Sequence, residues 1–107
     1  MITFDRRRES FERKFALDEE QRFKAEVRRN RLLGLWAARE LGIASDAAAA
    51  YADEVVAADF EEASDADVVR KLLNDFGAKG SVVSEQAIRA KMNELTAQAA
   101  AEVKAGR

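Results

Sequence analysis

Four segments of this 107-residue chain carry apolar residues at helical spacing, and each follows a Ser or Asp that suits a helix cap. Proline, which breaks helices, is absent, and only five residues are glycine. Twenty-two residues are alanine, which adds little core volume, so the helices must approach one another closely. The pattern predicts an all-α protein, a four-helix bundle of residues 18–107 preceded by a mobile amphipathic segment of residues 1–17.

Local capping signals predict where the helices begin and end. Asp18 and Gln21 have the spacing of a capping box, in which each side chain bonds the other residue's backbone N–H. The helix after Asp18 extends to Leu41, because Gly42 can take the left-handed turn that ends a helix. The other predicted helices run from Ser45 toward Glu62, from Ala66 to Phe76 with Gly77 as its stop, and from Glu85 to Lys104 with Ser84 as its cap.

Several residues are predicted to hold the bundle together. The first helix is apolar nearly all round after Arg31, which is typical of a central helix. Asp59 lies among the apolar positions of the second helix, so we expect it to be buried and paired with Arg28, Arg31 or Asn30. The residues assigned structural roles are Asp18, Phe23, Asn30, Gly34, Trp36, Asp59 and Phe60.

Residues 1–17 carry a second apolar stripe. If they are helical, Phe4, Phe11 and Phe15 fall within an arc of about 40°, roughly 100° away from the apolar line of the first bundle helix. One straight helix cannot bury both stripes against the same body. The segment therefore either bends near Asp18 and folds back, or keeps its stripe for a partner. Its basic residues are Arg6, Arg7, Arg8, Arg13 and Lys14.

Composition excludes most catalytic chemistry. The chain has no Cys and no His, so it has no thiol nucleophile, disulfide, zinc knuckle or Ser-His-Asp relay. No apolar run approaches the roughly 20 residues that span a bilayer. We predict that the protein is not an enzyme, needs no metal or cofactor and does not insert into a membrane.

Charge is unevenly distributed between the two parts of the chain. Residues 1–40 contain 11 Lys and Arg against 8 Asp and Glu, whereas residues 41–107 contain 7 against 12. A basic arm on an acidic body suits a protein that binds other proteins, although it also suits pairing within the chain. The alternatives are a small nucleic-acid-binding helical protein, which the acidic pI of about 5.3 disfavours, and a homo-oligomeric adaptor.

The stretch from Phe15 to Gly42 has an unusual sequence, with Asp18-Glu19-Glu20 followed by Arg28-Arg29-Asn30-Arg31-Leu32-Leu33-Gly34-Leu35-Trp36. It resembles the zeta subunit, the small inhibitor protein of certain bacterial F-type ATP synthases. Further similar stretches are 58–62, 65–71 and 88–92, so the resemblance covers essentially the whole chain.

The resemblance implies a four-helix protein that stops ATP hydrolysis by the catalytic head of the enzyme. It implies that residues 1–17 enter between the alpha and beta subunits and reach the gamma rotor. The residues that the resemblance assigns to this contact are Phe4, Arg6, Arg7, Arg8, Phe11, Arg13, Lys14 and Phe15. It further implies a cytoplasmic protein, peripheral to the inner membrane through ATP synthase, and we expect a monomer when it is free.

Overall fold

The computed structural model describes residues 15–59 and 65–107. These residues form four helices, α1 (Glu19–Leu41), α2 (Ser45–Ala58), α3 (Asp65–Ala78) and α4 (Glu85–Lys104), and within them there is no strand. The predicted all-α fold with four helices is confirmed. No helix in the described ranges is both long and apolar enough to cross a membrane.

The ends of α1 follow the predicted capping chemistry. The backbone N–H of Gln21 donates to the Asp18 carboxylate at 2.8 Å, and the Asp18 N–H donates to the Gln21 side chain at 3.1 Å. At the other end Gly42 has a φ of 78°, and the Ile43 N–H donates to the Ala38 carbonyl at 2.8 Å. A cap of this kind stabilises a helix by about 1 kcal/mol because it pairs groups that the helix leaves open.

The predicted bounds of α4 are also confirmed, because Ser84 accepts a hydrogen bond from the Ala87 N–H at 3.0 Å. The predicted end of α3 is wrong. Gly77 is helical, and the left-handed residue is Gly80 with a φ of 76°, where the Ser81 N–H donates to the Phe76 carbonyl at 2.9 Å. α2 ends at Ala58, and its predicted extension to Glu62 lies outside the described residues.

The core is built around α1, which packs against α2 and α4, while α3 closes the bundle against the same two helices. The largest fully buried apolar side chains are Phe76, Leu33, Leu72, Ile88, Val55 and Val68. A smaller cluster lies near the start of α1 and the end of α4. Its buried members are Leu17, Ala25, Ala99, Ala100 and Val103, and Phe15 packs against them.

Gly34 sets the approach of α1 to α2. A Cβ added at Gly34 would lie 2.6 Å from the Ala52 Cα and 3.2 Å from the Ala52 and Val55 Cβ atoms. A contact of 2.6 Å with backbone cannot be relieved by turning a side chain, so the two helices would have to separate. The small residues of this sequence therefore serve close packing, as the alanine content predicts.

We expect Gly34→Ala to lower the free energy of unfolding by about 1–2 kcal/mol, although alanine normally improves a helix by about 0.5–1 kcal/mol. The control is Gly77→Ala in α3, where the added methyl meets nothing within 4 Å. That variant should gain roughly 0.5 kcal/mol from helix propensity alone. Urea unfolding of both variants gives the comparison, and a stabilising Gly34→Ala would contradict the close approach.

Candidate interaction surfaces

The connection between the N-terminal residues and the bundle is the first candidate surface. Phe15 packs against the smaller cluster, Leu17 is buried, and the Lys104 ammonium donates to the Phe15 carbonyl at 3.2 Å. Both Phe15 and Leu17 belong to the predicted segment 1–17, and both pack against the bundle. The boundary after Leu17 and the partner-binding role of Phe15 stay predictions.

The other members of the predicted partner-binding set lie outside the described residues. They are Phe4, Arg6, Arg7, Arg8, Phe11, Arg13 and Lys14. Phe60, predicted to be structural, also lies outside them. The contacts of these side chains stay predictions.

A buried charged network ties α1 to α3 and α4. The Arg29 side chain, 4% exposed, reaches the Asp65 carboxylate at 2.8 Å and the Thr96 hydroxyl at 3.4 Å. Its Nε donates to the Asn30 side-chain oxygen at 3.0 Å, and Asn30 itself is 1% exposed. No structural role for Arg29 was predicted from the sequence. The network fixes the start of α3 against the bundle, since Asp65 is the first residue of that helix.

Glu26 and Arg22 lie about one and two turns before Arg29 on the same face of α1. They pair with each other at 2.7 Å, and both side chains are buried. The positions of Arg22, Glu26, Arg29 and Leu33 follow the spacing of a single helix face. That spacing is the signal that could have identified them, because charged residues on a core-facing stripe need partners inside the bundle.

Two groups of arginines could contact phosphates in a nucleic-acid-binding protein, residues 6–8, which lie outside the described residues, and Arg28, Arg29 and Arg31, which are occupied within the chain. Arg28 binds Glu102 at 3.0 Å and also the Arg107 carbonyl, and Arg31 binds Asp53 at 2.6 Å. Hydrogen bonds from Gln98 and then Arg28 hold the pKa of Glu102 below its usual range. With Arg29 on Asp65, all three basic groups of this stretch have acidic partners, so they do not form an open phosphate-binding patch.

Asp59 is buried, as expected for a carboxylate at an apolar helix position. Its pairing with Arg28, Arg31 or Asn30 stays a prediction.

Trp36 is half-buried at the edge of the core. The centroid of its ring lies 5.9 Å from the centroid of the Phe76 ring and 5.9 Å from the Lys91 ammonium. Trp36 therefore reports on the contact between α1 and α3.

The outer face of α1 contains a shallow groove of about 590 Å³, here called the outer groove. Its apolar lining is Phe23, Val27, Leu32 and Leu35. Its polar lining is Lys24, Arg28, Arg31 and Arg107. Phe23, predicted to be structural, is 49% exposed, because α2 and α4 cover the opposite side of α1 where Ala25, Leu33 and Ala37 lie.

A polar cluster between α2 and α3 carries the clearest pH dependence. The Tyr51 hydroxyl donates to the Asp75 carboxylate at 2.6 Å, and the Lys71 ammonium donates to the same carboxylate at 3.0 Å. Burial first, and then this hydrogen bond, raises the pKa of Tyr51 above its ordinary value. Burial opposes the charge on Lys71, but hydrogen bonds to Asp75 and Glu54 raise the pKa of that ammonium overall.

We expect the protein to lose stability as the pH rises above about 10, the pKa of an unfolded tyrosine. The folded state keeps the Tyr51 proton whereas the unfolded state releases it, so alkali favours unfolding, and Lys71 acts in the same direction. Tyr51 is the sole tyrosine, so phenolate absorbance reads it directly. Phenolate should appear together with loss of helical circular dichroism. Phenolate formation near pH 10 in a fully helical chain would contradict this.

The features that the described residues provide are surfaces suited to binding. Within 15–59 and 65–107, no group of three or more Asp and Glu side chains is arranged to hold a metal ion. The available features are the anchored residues 15–17, a rigid charged network and an apolar groove with a basic rim. These features suit contact with another protein.

Comparison with known proteins agrees with this assessment. A family model described as ATPase inhibitor subunit zeta matches residues 1–102. A solution NMR structure of a protein with 50% sequence identity matches 79% of this chain and 96% of its own chain, with a TM-score of 0.70. No match was found among curated proteins.

Proposed function

This chain belongs to the ATPase inhibitor subunit zeta family, and on that premise we propose that it blocks ATP hydrolysis by the catalytic head of a bacterial F-type ATP synthase. The family is one of regulatory subunits, so the prediction that the protein is not an enzyme is confirmed. The observation that carries the proposal is the extent of the match. It includes residues 1–17 and residues 18–102 of the bundle, and thus covers both parts that the mechanism uses.

In the proposed mechanism, residues 1–14 enter the cleft between the alpha and beta subunits and reach the gamma rotor, while Phe15 and Leu17 stay packed on the bundle. Phe4 and Phe11 become buried there, and full burial of a phenylalanine contributes on the order of 1.5–3 kcal/mol before ordering costs. A helix wedged in the cleft stops rotation sterically. No catalytic group of the inhibitor is needed.

The bundle serves as the anchor outside the cleft. Leu17 is buried and Phe15 packs against the smaller cluster, which ties the inserted segment to a rigid body. The basic side chains of residues 6–8, 13 and 14 meet acidic groups at the cleft mouth, where they raise the association rate at low salt. In the cell the protein is cytoplasmic, peripheral to the inner membrane through ATP synthase, and monomeric when free.

The proposal is tested by adding the full chain to a purified bacterial catalytic head while ATP hydrolysis is measured. We expect the rate to fall to a low plateau in a saturable way, and the chain to elute with the head in size-exclusion chromatography. Bovine serum albumin at equal concentration controls for nonspecific loss of activity. Unchanged hydrolysis in the presence of a saturating excess would refute the proposal.

A further inference from the structure

Ala16 has a left-handed backbone conformation and lies between two residues whose side chains pack on the bundle. Its φ is 56°, in a region that residues with a Cβ rarely occupy. The Ala16 side chain is exposed, so its own packing does not explain this conformation. A backbone in such a region persists only where surrounding contacts require it. The turn formed by residues 15–17, here called the 15–17 turn, is therefore held by its neighbours.

The contacts that hold the 15–17 turn lie on both sides of Ala16. Leu17, 6% exposed, is buried in the smaller cluster, and Phe15 packs against the same cluster. The Lys104 ammonium, in the last turn of α4, donates to the Phe15 carbonyl at 3.2 Å. The end of α4 thus contacts the turn through both a side-chain cluster and a backbone carbonyl.

The start of α1 keeps the chain from running straight through this turn. Asp18 is extended, with φ −79° and ψ 178°, and forms both hydrogen bonds of the capping box with Gln21. A helix continuous from Phe15 into α1 would require helical backbone at Asp18 and would break this cap. The backbone of Phe15 therefore has a fixed position and direction relative to the bundle, and residues 1–14 continue from it.

We propose that the 15–17 turn is kept when the inhibitor binds the catalytic head, and that it sets the direction in which residues 1–14 leave the bundle. The inference rests on the proposed function. A preset direction removes part of the ordering cost of insertion, so it strengthens binding without adding a contact to the head. Ala16, Leu17 and Lys104 are thus positioning residues. Loss of the turn should raise the half-inhibitory concentration and leave the extent of inhibition at saturation unchanged.

The first part of the test changes the backbone preference of residue 16 in both directions. Glycine adopts a positive φ without penalty, whereas valine, with its branched Cβ, strongly disfavours it. The variants are therefore Ala16→Gly and Ala16→Val. Ala44→Val is the matched control, because Ala44 is also exposed but has an extended φ of −129°, which valine favours.

The second part changes the contacts that hold the turn. Leu17→Ser removes a buried apolar side chain, and Lys104→Ala removes the donor to the Phe15 carbonyl. Lys79→Ala, at an exposed lysine directly after α3, controls for the loss of a positive charge. Helical circular dichroism and melting confirm that each variant keeps the bundle.

Each full-chain variant is measured in two ways. Nuclear Overhauser contacts between the Phe15 ring and the methyl groups of the smaller cluster give the fraction of chains in which the turn is docked. Titration of the catalytic head gives the half-inhibitory concentration and the plateau. A merely structural role of the turn would change the melting temperature and leave the half-inhibitory concentration of the folded variants unchanged.

We expect Ala16→Val and Leu17→Ser to raise the half-inhibitory concentration by about fivefold or more, and Lys104→Ala by about threefold, all with the wild-type plateau. Ala16→Gly should inhibit at or below the wild-type concentration, and both controls should behave as the wild type. The increase should follow the loss of the docked fraction.

A folded variant whose Phe15 ring detaches while its half-inhibitory concentration stays at the wild-type value would overturn the inference. A Leu17→Ser chain whose ring stays docked would also overturn it. The reverse order at residue 16, in which valine strengthens inhibition and glycine weakens it, would show that the turn has to open for insertion. Failure of the wild type to inhibit would instead refute the proposed function, and the affinities of the same variants for the head would then decide on the turn.

Discussion

Removal of residues 2–14 should abolish inhibition of ATP hydrolysis while the bundle keeps its helical content. The described structure begins at Phe15, and from there onward the helices bury a core of their own. Phe15 and Leu17 stay in this variant because they pack against the smaller cluster. Deleting them as well would combine a functional effect with a loss of stability. The measurement is steady-state hydrolysis at increasing inhibitor concentration, together with thermal melting.

Point variants separate the apolar and charged parts of this effect. Phe4→Ser with Phe11→Ser should raise the half-inhibitory concentration by about a hundredfold, because each ring contributes on the order of 1.5 kcal/mol or more when buried. The conservative pair Phe4→Leu and Phe11→Leu should recover most of the inhibition. Glutamine at positions 6–8 should mainly slow association and reduce its salt dependence. A chain without residues 2–14 that still inhibits at wild-type concentrations would contradict insertion.

The helix ends show what local chemistry can predict. Asp18 with Gln21, Gly42 and Ser84 act on backbone groups within a few residues, so their effects are readable from the sequence. The predicted end of α3 was wrong because Gly77 and Gly80 can each end a helix. Which glycine does so depends on the backbone hydrogen bonds of the residues that follow, and here the Ser81 N–H donates to the Phe76 carbonyl.

The candidate surfaces were less predictable because they depend on contacts between distant residues. Arg29 pairs with Asp65, which lies 36 positions further along the chain, and no local sequence pattern predicts that pair. Phe23 and Val27 follow helical spacing, and Phe23 was predicted to be structural. They lie on the outer face because two neighbouring helices cover only one side of α1. Periodicity shows that a face is apolar, whereas tertiary packing decides whether the chain itself covers it.

Arg29→Ala should lower the free energy of unfolding by about 3 kcal/mol, toward the lower end of the range for breaking a buried ion pair. The substitution leaves the Asn30 oxygen, buried to 1% exposure, without the Arg29 donor, and it removes the Arg29 charge from the Asp65 carboxylate. Asp65 keeps 31% of its side-chain surface in solvent, which limits the cost. Because a domain of this size is stable by about 5–15 kcal/mol, the loss is large.

Urea unfolding followed by the fluorescence of Trp36, the sole tryptophan, measures this loss. Arg31→Ala is the matched control, because its pair with Asp53 is exposed and should contribute less than about 1 kcal/mol. Arg29→Lys should fall between the two, since lysine keeps the charge but cannot bond Asp65, Thr96 and Asn30 from one planar group. Equal losses for Arg29→Ala and Arg31→Ala would contradict a stabilising role of the network. The expected order follows from burial alone: the same guanidinium group contributes little on the outer face of α1 and several times more where three helices enclose it.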